Sequence, residues 1–192
     1  MPVYKLAAYP KVIALRDGST VTLRPMEKGD ADALLAMFRE VPPDDRWFLK
    51  EDVASEKVVH EWAERLDYNR ALPMLAFADG KVVADGVLVR HRGVARQHLA
   101  EVRIVVHPAW RNRGLGSAVL KELCDIAADA EIEKVVSELA EDVERDAIDA
   151  MERLGFIRSA VIPDLLRDVH GRPHNVVVLT LPLGKWYQWW QW

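Results

Sequence analysis

Residues 105–116, with the sequence VVHPAWRNRGLG, join an apolar strand to an amphipathic helix through a glycine-rich turn. The first turn of a helix has four N–H groups without partners inside the helix, and the helix dipole adds partial positive charge there. Gly114 and Gly116 let the backbone approach a ligand, while Arg111 and Arg113 add full charge and paired donors. The stretch therefore predicts an anion site, and a pyrophosphate suits it well.

Two better-known phosphate loops do not match this turn. The sequence contains no Gly-x-x-x-x-Gly-Lys-Ser/Thr, which argues against a nucleotide-hydrolysing P-loop. A dinucleotide fingerprint needs three glycines, and Arg111 occupies the place of the first. By itself the turn is also compatible with a purely structural role.

Outward from the turn, alternating and helical apolar patterns predict a mixed α/β sheet rather than a regular strand–helix–strand repeat. Strands are predicted over residues 11–16, 19–24, 74–78, 81–90, 98–106, 134–139, 156–162 and 175–181. Helices are predicted from Asp30 to the stop at Pro42-Pro43, over 55–66, from the glycine-rich turn to about 130, and after Asp142.

Aspartate and glycine mark the connections between these elements. Asp17-Gly18 and Asp79-Gly80 each separate two apolar runs, which is typical of tight hairpin turns. Asp30 and Asp142 precede helical runs, and we expect them to cap those helices. Gly155 stands where the last helix should end in a left-handed residue.

Length and composition indicate a single domain over residues 1–192 with an ordinary globular core. The formal net charge of −4 argues against a nucleic-acid partner, and no stretch approaches the ~20 apolar residues of a membrane span. The one cysteine, Cys124, excludes an internal disulfide and is read as part of the core. A cytoplasmic location fits this, and no His/Cys spacing suggests a metal site.

The stretch 105–116 resembles the acetyl-CoA-binding motif of the GNAT superfamily of N-acetyltransferases, whose core is Gln/Arg-x-x-Gly-x-Gly/Ala after a strand. Arg111, Gly114 and Gly116 match that core. Residues 21–25 with Asp30 resemble the family's first strand and helix, and 154–156 its later helix-to-strand junction. The resemblance spans about residues 19 to 182. It implies the GNAT fold, a mixed and mostly antiparallel central sheet flanked by about four helices.

The resemblance also implies a mechanism and a set of cofactor-binding residues. Acetyl-CoA would be the co-substrate, and an amine would attack its thioester directly. The strand would hold the pantetheine arm through its backbone, the loop amides would hold the pyrophosphate, and a backbone N–H near Val106 would stabilise developing negative charge. The expected cofactor-binding residues are Ile104, Val105, Val106, Arg111, Asn112, Arg113, Gly114, Leu115, Gly116 and Ser117.

The catalytic acid and base are less clearly marked. The tyrosine that many relatives use to protonate the leaving thiolate is replaced by Met151, which has no proton to donate, and the asparagine seven residues earlier is Glu144. The candidate bases are Glu101 and His98, with Asp85 as a third. Glu101 is on the strand before the loop, but an ion pair with Arg103 would explain it equally well.

Two further segments invite interpretation. The polar residues 164–174 are expected either to line the acceptor pocket or to form a solvated hairpin with its turn at Gly171. The tail 184–192 has four tryptophans in its last seven residues, so it is predicted to dock on a partner subunit in a homodimer or to pack on its own chain.

The sequence therefore predicts an N-acetyltransferase acting on a primary amine of a small molecule or of a protein lysine or N-terminus. A different class, an acyl-CoA-binding sensor or interaction module without catalysis, stays open because of Met151 and Glu144.

Overall fold

The computed structural model describes residues 4–91 and 93–184. The strands are β1 Lys11–Ala14, β2 Thr20–Pro25, β3 Ala71–Ala78, β4 Lys81–Arg90, β5 Leu99–Val106, β6 Lys134–Ala140, β7 Ile157–Arg167 and β8 Pro173–Pro182. The helices are α1 Ala31–Glu40, α2 Pro43–Arg46, α3 Glu56–Glu64, α4 Leu115–Asp129 and α5 Arg145–Arg153.

All eight strands join one sheet in the order β1-β2-β3-β4-β5-β6-β8-β7. Among these described strands every neighbouring pair is antiparallel except β5 and β6, which run parallel. This confirms the predicted mixed, mostly antiparallel sheet. The parallel pair results from the crossover through α4, so β5 precedes the glycine-rich turn and β6 follows the helix that begins there.

Helices cover both faces of the sheet. α1 and α3 enclose one apolar cluster, which includes Phe38 and Val59, and α4 and α5 enclose the other, which includes Leu123 and Met151. α4 comes close to β4 because Gly86 has no side chain: a β carbon there would lie 2.4 Å from Val119 Cγ1. The close contact sets the height of α4, and with it the position of the glycine-rich turn at its start.

The sequence underestimates the helices by one. About four were expected, and the structure has a fifth, the single-turn α2, directly after α1. Pro42-Pro43 does end α1, but proline is also favoured in the first helical turn, where its missing N–H costs nothing. Pro43 therefore begins α2 as well.

The predicted hairpin turns and helix end are confirmed. Gly18 has a φ of 83°, and Asp79 and Gly80 have φ values of 48° and 74° at the β3–β4 turn. Positive φ at both central residues is the geometry that joins two twisted strands with a two-residue turn. Gly155 ends α5 with a φ of 95°.

The two predicted helix caps are wrong, because tertiary partners take both carboxylates. Asp30 stands at the start of α1 without capping it, and accepts hydrogen bonds from Arg24 at 2.6 and 2.7 Å instead. Asp142 lies before the start of α5, whose N-cap residue is Glu144, and bonds His174 at 2.8 Å.

Strands β7 and β8 form a longer hairpin than expected. β7 extends to Arg167 and β8 begins at Pro173, so most of the polar segment 164–174 belongs to strands. Gly171 is at the turn with a φ of 77°, as the hairpin interpretation requires.

The tryptophan-rich residues 185–192 lie outside the described residues. In the described part of the chain no helix has the length and hydropathy needed to cross a membrane.

Candidate functional site

Strands β5 and β6 separate partway along their length. They pair only where Leu99–Glu101 faces Lys134–Val136. Beyond that point β5 stays with β4 as far as Val106, and β6 stays with β8 as far as Ala140. At the apex the Ser137 hydroxyl donates to the Val102 carbonyl at 3.3 Å, and past it a wedge-shaped gap opens in the sheet.

Backbone groups of β5 line this gap. The His107 N–H donates to Val83 of β4 at 3.0 Å, whereas the Val102 carbonyl faces β6. Backbone N–H and C=O groups point to alternate sides along a strand. Those of Ile104 and Val106 therefore point into the gap, and those of Val105 point toward β4. Of the three strand residues predicted to bind the cofactor, two therefore present backbone groups to the gap and Val105 does not.

The glycine-rich turn closes the wide end of the gap. Gly114 precedes α4 in a left-handed conformation, with a φ of 86°. Its carbonyl accepts the Ala118 N–H at 3.0 Å, which is the first bond of the helix. The N–H groups of Leu115, Gly116 and Ser117 come before that bond and have no acceptor inside the helix.

The predicted loop residues differ in what they offer. The Leu115 side chain is buried in the core, so only its backbone is available to a ligand. Asn112 has a positive φ of 62°, which helps the chain to fold back before Gly114. A β carbon on Gly116 would lie 3.4 Å from Val106 Cγ2, so the loop packs directly against the end of β5.

Both loop arginines already have acidic partners. Arg111 pairs with Asp45 of α2 at 2.7 Å and donates from Nε to the Val106 carbonyl at 3.2 Å. Arg113 pairs with Asp17 at 3.3 Å, and its guanidinium lies 4.8 Å from the centre of the Trp110 ring. These contacts orient the guanidinium groups around the turn, but they also offset part of their charge.

A third arginine lies at the turn, and no sequence pattern marks it. Arg16, in the β1–β2 turn, donates its backbone N–H to the Arg113 carbonyl at 3.2 Å. Its side chain passes Gly114 so closely that a β carbon there would lie 3.2 Å from Arg16 Cγ. Among the described residues no carboxylate forms an ion pair with Arg16. No local pattern links residue 16 to residue 113, so only the folded hairpin reveals this third charge.

Glu101 stands at the last paired position before the gap. Its side chain is 12% exposed and accepts hydrogen bonds from Arg103 Nε at 2.8 Å and Nη2 at 3.2 Å. Lys50 Nζ lies 2.7 Å from Glu101 Oε1. Burial acts to raise the pKa of Glu101, but the bonds from Arg103 and Lys50 outweigh it and hold that pKa below its usual value. The predicted ion pair with Arg103 therefore exists, and it lies beside the gap.

The other two candidate bases lie elsewhere. His98 is exposed and precedes β5 at the end far from the loop, where its carbonyl accepts the Glu133 N–H at 2.9 Å. Asp85 is buried in β4 opposite Val105, and its Oδ1 has no hydrogen-bond partner among the described residues. Burial raises the pKa of Asp85 to about 7.

The two residues that replace the tyrosine and the asparagine of many relatives have structural roles here. Met151 is buried against the core on the α4 and α5 side of the sheet. Glu144 Oε2 accepts the Ala140 N–H at 2.7 Å and so fixes the end of β6. Burial raises the pKa of Cys124 to about 12, which keeps its thiol protonated and unreactive.

A polar pocket opens between α2, the segment after β6 and the β7–β8 hairpin. The Trp47 indole N–H donates to the Arg167 carbonyl at 2.6 Å and ties α2 to the hairpin across it. The pocket is lined by Asp44, Asp45, Trp47, Phe48, Val143, Asp168, Val169, His170, Arg172 and His174. Five of the eleven residues in the polar segment 164–174 thus line a cavity.

His174 is the most constrained side chain of this pocket. Its Nδ1 bonds Asp142 at 2.8 Å, its ring meets Phe48 edge-on at 5.5 Å, and its Nε2 lies 3.6 Å from Asp168 Oδ2. The bond to Asp142 raises the pKa of His174 despite burial, and its Nε2 is buried without a hydrogen-bond partner among the described residues. Its partners are distant in sequence, which is why the sequence assigned it no role.

No group of three or more His, Cys, Asp or Glu side chains in residues 4–91 and 93–184 has the arrangement of a metal site. The chemical features of the site are therefore the gap in the sheet, the free amides and arginines at its wide end, and the Glu101 carboxylate at its narrow end.

Comparison with known proteins identifies the family and the fold. The family model described as "Acetyltransferase (GNAT) family" matches residues 34–156, which include the gap and the loop. The L-amino acid N-acetyltransferase AaaT of Escherichia coli (strain K12) is 34% identical over 68 residues. That match covers 35% of this chain and 42% of the enzyme, so the chain spans less than half the length of the curated relative it matches.

Solved structures share the fold over nearly their whole length. The GNAT domain of S. lividans PAT superposes with a TM-score of 0.76 at 24% identity, covering 92% of this chain and 98% of that one. A GNAT superfamily phosphinothricin acetyltransferase from Sinorhizobium meliloti was solved in complex with AcCoA. It superposes with a TM-score of 0.75 at 22% identity, covering 86% of this chain and 89% of that one.

Proposed function

The chain belongs to the acetyltransferase (GNAT) family, and on that premise we propose that it transfers an acetyl group from acetyl-CoA to a primary amine. The acceptor would be a small molecule, or a lysine or N-terminus of a protein. The observation that carries the proposal is the continuity of the gap between β5 and β6 with the free amides of the glycine-rich turn. An elongated ligand with an anionic end fits that shape.

The residues present fit acetyl-CoA as a ligand. The amides of Leu115, Gly116 and Ser117 suit the pyrophosphate, and Gly114 leaves the approach to them open. The backbone groups of Ile104 and the N–H of Val106 suit the amides of the pantetheine arm, which would complete the interrupted sheet. Bound in this way, acetyl-CoA would supply an activated acetyl group as a thioester.

The chain's contribution to the reaction is mainly positioning. We assign Glu101 the role of general base, because it is the carboxylate beside the narrow end of the gap and its low pKa keeps it ionised. His98, also predicted as a base, receives no role in this proposal because of its place beyond the paired end of β5. Proton return to the leaving sulfur is assigned to water, since Met151 is buried and has no proton to donate.

The pocket beneath Trp47 is proposed as the entrance for the acceptor. Asp44 lines it, and the Trp47 and Phe48 rings provide apolar and cation-binding surface. A positively charged primary amine suits such a lining. The name of the curated relative, an L-amino acid N-acetyltransferase, favours a small amine-bearing molecule over a protein.

Replacing Glu101 with glutamine should lower kcat by about 10²–10⁴-fold, the range attributed to a general base. The dissociation constant of acetyl-CoA should stay unchanged, because Glu101 lies at the far end of the gap from the loop. Steady-state kinetics with an amine panel and calorimetry measure the two quantities.

Glu122→Gln is the matched control for this substitution. Glu122 is also 12% exposed and pairs with a lysine, Lys11, but on α4 on the other face of the sheet. Equal losses of kcat in both variants would contradict the assignment of Glu101 as the base. Binding of acetyl-CoA without turnover on any amine tested, in the wild type itself, would favour the non-catalytic sensor suggested by Met151.

Arg16→Ala should weaken coenzyme A binding by about tenfold, the value of one charge-assisted hydrogen bond to a phosphate. Arg16 is the arginine at the turn that no described carboxylate offsets, so its whole charge is available to the ligand. Calorimetric titration with coenzyme A tests this, with Arg65→Ala as a control at an exposed arginine at the end of α3. An unchanged affinity in Arg16→Ala would remove Arg16 from the site.

A homodimer and a cytoplasmic location are part of the same proposal. The dimer rests on the apolar load of the tail 184–192, and a monomer by light scattering at micromolar concentration would contradict it. The location rests on the single cysteine, Cys124.

A further inference from the structure

Lys50 holds an unusual position in this site. It belongs to the loop between α2 and α3, and its ammonium group lies 2.7 Å from Glu101 Oε1. It also lies 3.4 Å from Glu138 Oε2 on β6. Because Glu101 is on β5 and Glu138 on β6, the Lys50 amine spans the two strands at the point where they separate.

This is the place that the acceptor amine has to occupy. The proposed base, Glu101, must accept a proton from the attacking amine, so the nitrogen of a productive acceptor lies within hydrogen-bond distance of that carboxylate. Lys50 Nζ meets this condition in the absence of any substrate. Arg103 contacts the same carboxylate, but its guanidinium stays protonated in proteins and is no nucleophile.

The lysine is also free enough to react. Its side chain is 44% exposed and comes from a loop rather than from a helix or strand. Its two ion pairs are therefore partly solvated, and partly solvated pairs contribute little to holding a side chain in place. Because Nζ contacts one carboxylate on β5 and one on β6, the Lys50 amine already lies at the narrow end of the gap.

We propose that Lys50 is itself an acetyl acceptor, so that the protein acetylates its own chain in cis. This proposal rests on the proposed function, since it uses the same bound acetyl-CoA and the same base. It adds a modification site and identifies the chemical class of one acceptor, a lysine side chain presented from the α2–α3 loop.

The reaction balances with acetyl-CoA as the only co-reactant. The Lys50 ammonium gives one proton to the Glu101 carboxylate, and the neutral amine attacks the thioester carbonyl. The N–C bond forms and the C–S bond breaks, with its electron pair leaving on the coenzyme A sulfur. The second amine proton is also lost, so that one proton ends on the sulfur and one in solvent. The products are Nε-acetyl-lysine and coenzyme A.

Acetylation would change the site that performs it. An amide carries no charge, so the ion pairs of Lys50 with Glu101 and Glu138 would both be lost. Glu101 would keep only Arg103 as a cationic partner, and the α2–α3 loop would lose its link to both strands of the gap. Self-acetylation would thus alter access to the base for other acceptors.

Mass spectrometry after incubation with isotopically labelled acetyl-CoA tests the proposal, because the label excludes acetylation inherited from the expression host. Trypsin cleaves after Arg46, Lys50 and Lys57, so acetylation of Lys50 should produce the uncleaved peptide 47–57. We expect its occupancy to exceed that of other lysines by on the order of tenfold or more, because a positioned amine reacts at a high effective concentration.

Lys121 is the internal control. It is an exposed lysine that pairs with Asp125 at 2.5 Å on α4, away from the gap, so direct chemical acetylation would label it at least as fast. Lys50→Arg should remove the label, and Glu101→Gln should slow its appearance. The fraction labelled per unit time should be independent of protein concentration.

Equal labelling of Lys50 and Lys121 would overturn the proposal, and a rate proportional to protein concentration would overturn the assignment in cis. Calorimetry separates these failures from a failure of the proposed function. If acetyl-CoA binds and another amine is acetylated while Lys50 is not, only this inference falls. If acetyl-CoA does not bind at all, the proposed function falls with it.

Discussion

Replacement of Gly114 by valine is expected to abolish measurable acetyl-CoA binding while leaving the protein folded. Gly114 has a φ of 86°, which a β-branched residue avoids, and a β carbon there would lie 3.2 Å from Arg16 Cγ. The turn must rearrange, and the amides of Leu115, Gly116 and Ser117 lose their common direction. Loss of two charge-assisted hydrogen bonds, each ~1.5–3 kcal/mol, raises the dissociation constant by at least about 100-fold.

Gly80→Val provides the matched control for this effect. Gly80 also has a positive φ, 74°, in an exposed turn, but it joins β3 to β4 and no atom lies within 4 Å of its missing β carbon. Both variants should lose comparable stability, about 1–3 kcal/mol for a residue forced into a sparsely populated conformation. Calorimetry and thermal unfolding of the two variants distinguish a binding defect from strain. Equal affinity for acetyl-CoA in both would refute the loop as its site.

Replacement of Asp85 by asparagine is expected to make the protein more stable than the wild type above neutral pH. Burial raises the pKa of Asp85 from 3.8 to about 7. Between these values the folded protein holds a proton that the unfolded chain has released, so the free energy of unfolding falls as the pH rises from about 4 to about 7. Asparagine carries no titrating proton, so the free energy of unfolding of the variant does not fall for this reason.

The expected size of this effect follows from the pKa. Between pH 5 and pH 8, the stability difference should shift in favour of the variant by about 2–3 kcal/mol, since each pKa unit corresponds to ~1.4 kcal/mol. For a chain of this length each kcal/mol of stability corresponds to about 2–4 °C in melting temperature. Comparing the two proteins at each pH removes the contributions of all other carboxylates.

Asp79→Asn, at the exposed turn of the same hairpin, is the control for Asp85→Asn. Melting temperatures at pH 5 and pH 8 check the prediction, and a difference from wild type that does not change with pH would contradict it. Turnover should survive in Asp85→Asn, because the buried carboxyl lies in β4 rather than beside the gap. Loss of turnover with unchanged acetyl-CoA binding would return Asp85 to the list of candidate bases.

Glu101 links the catalytic proposal to the proposal for Lys50. Its carboxylate receives Arg103 from its own strand and Lys50 from the α2–α3 loop. Arg103 is a permanent partner that orients the carboxylate, whereas the Lys50 amine can be replaced by the amine of another acceptor. In the two proposals one carboxylate serves both reactions, and Lys50→Arg should remove self-acetylation while Glu101 stays present for other amines.

The sequence by itself determined the strands, the longer helices and the glycine-rich turn. Alternating and helical apolar patterns marked all eight strands and the four longer helices, because burial on one face imposes a period on the chain. The start of α4 after Gly114 could be predicted, because the glycines and arginines that mark it lie next to one another in the chain. The single-turn α2 was missed, since four residues are too few to show a period.

Only the tertiary structure decided which side chains meet at the site. Arg16 contacts the glycine-rich turn from the β1–β2 turn, and Lys50 contacts Glu101 from the α2–α3 loop. His174 of β8 bonds Asp142, which follows β6. Asp142 would cap a helix by local rules, but it bonds His174 of β8 instead. The gap itself exists because β5 and β6 each keep a different antiparallel neighbour. Such contacts join residues far apart in the chain, and no local pattern encodes them.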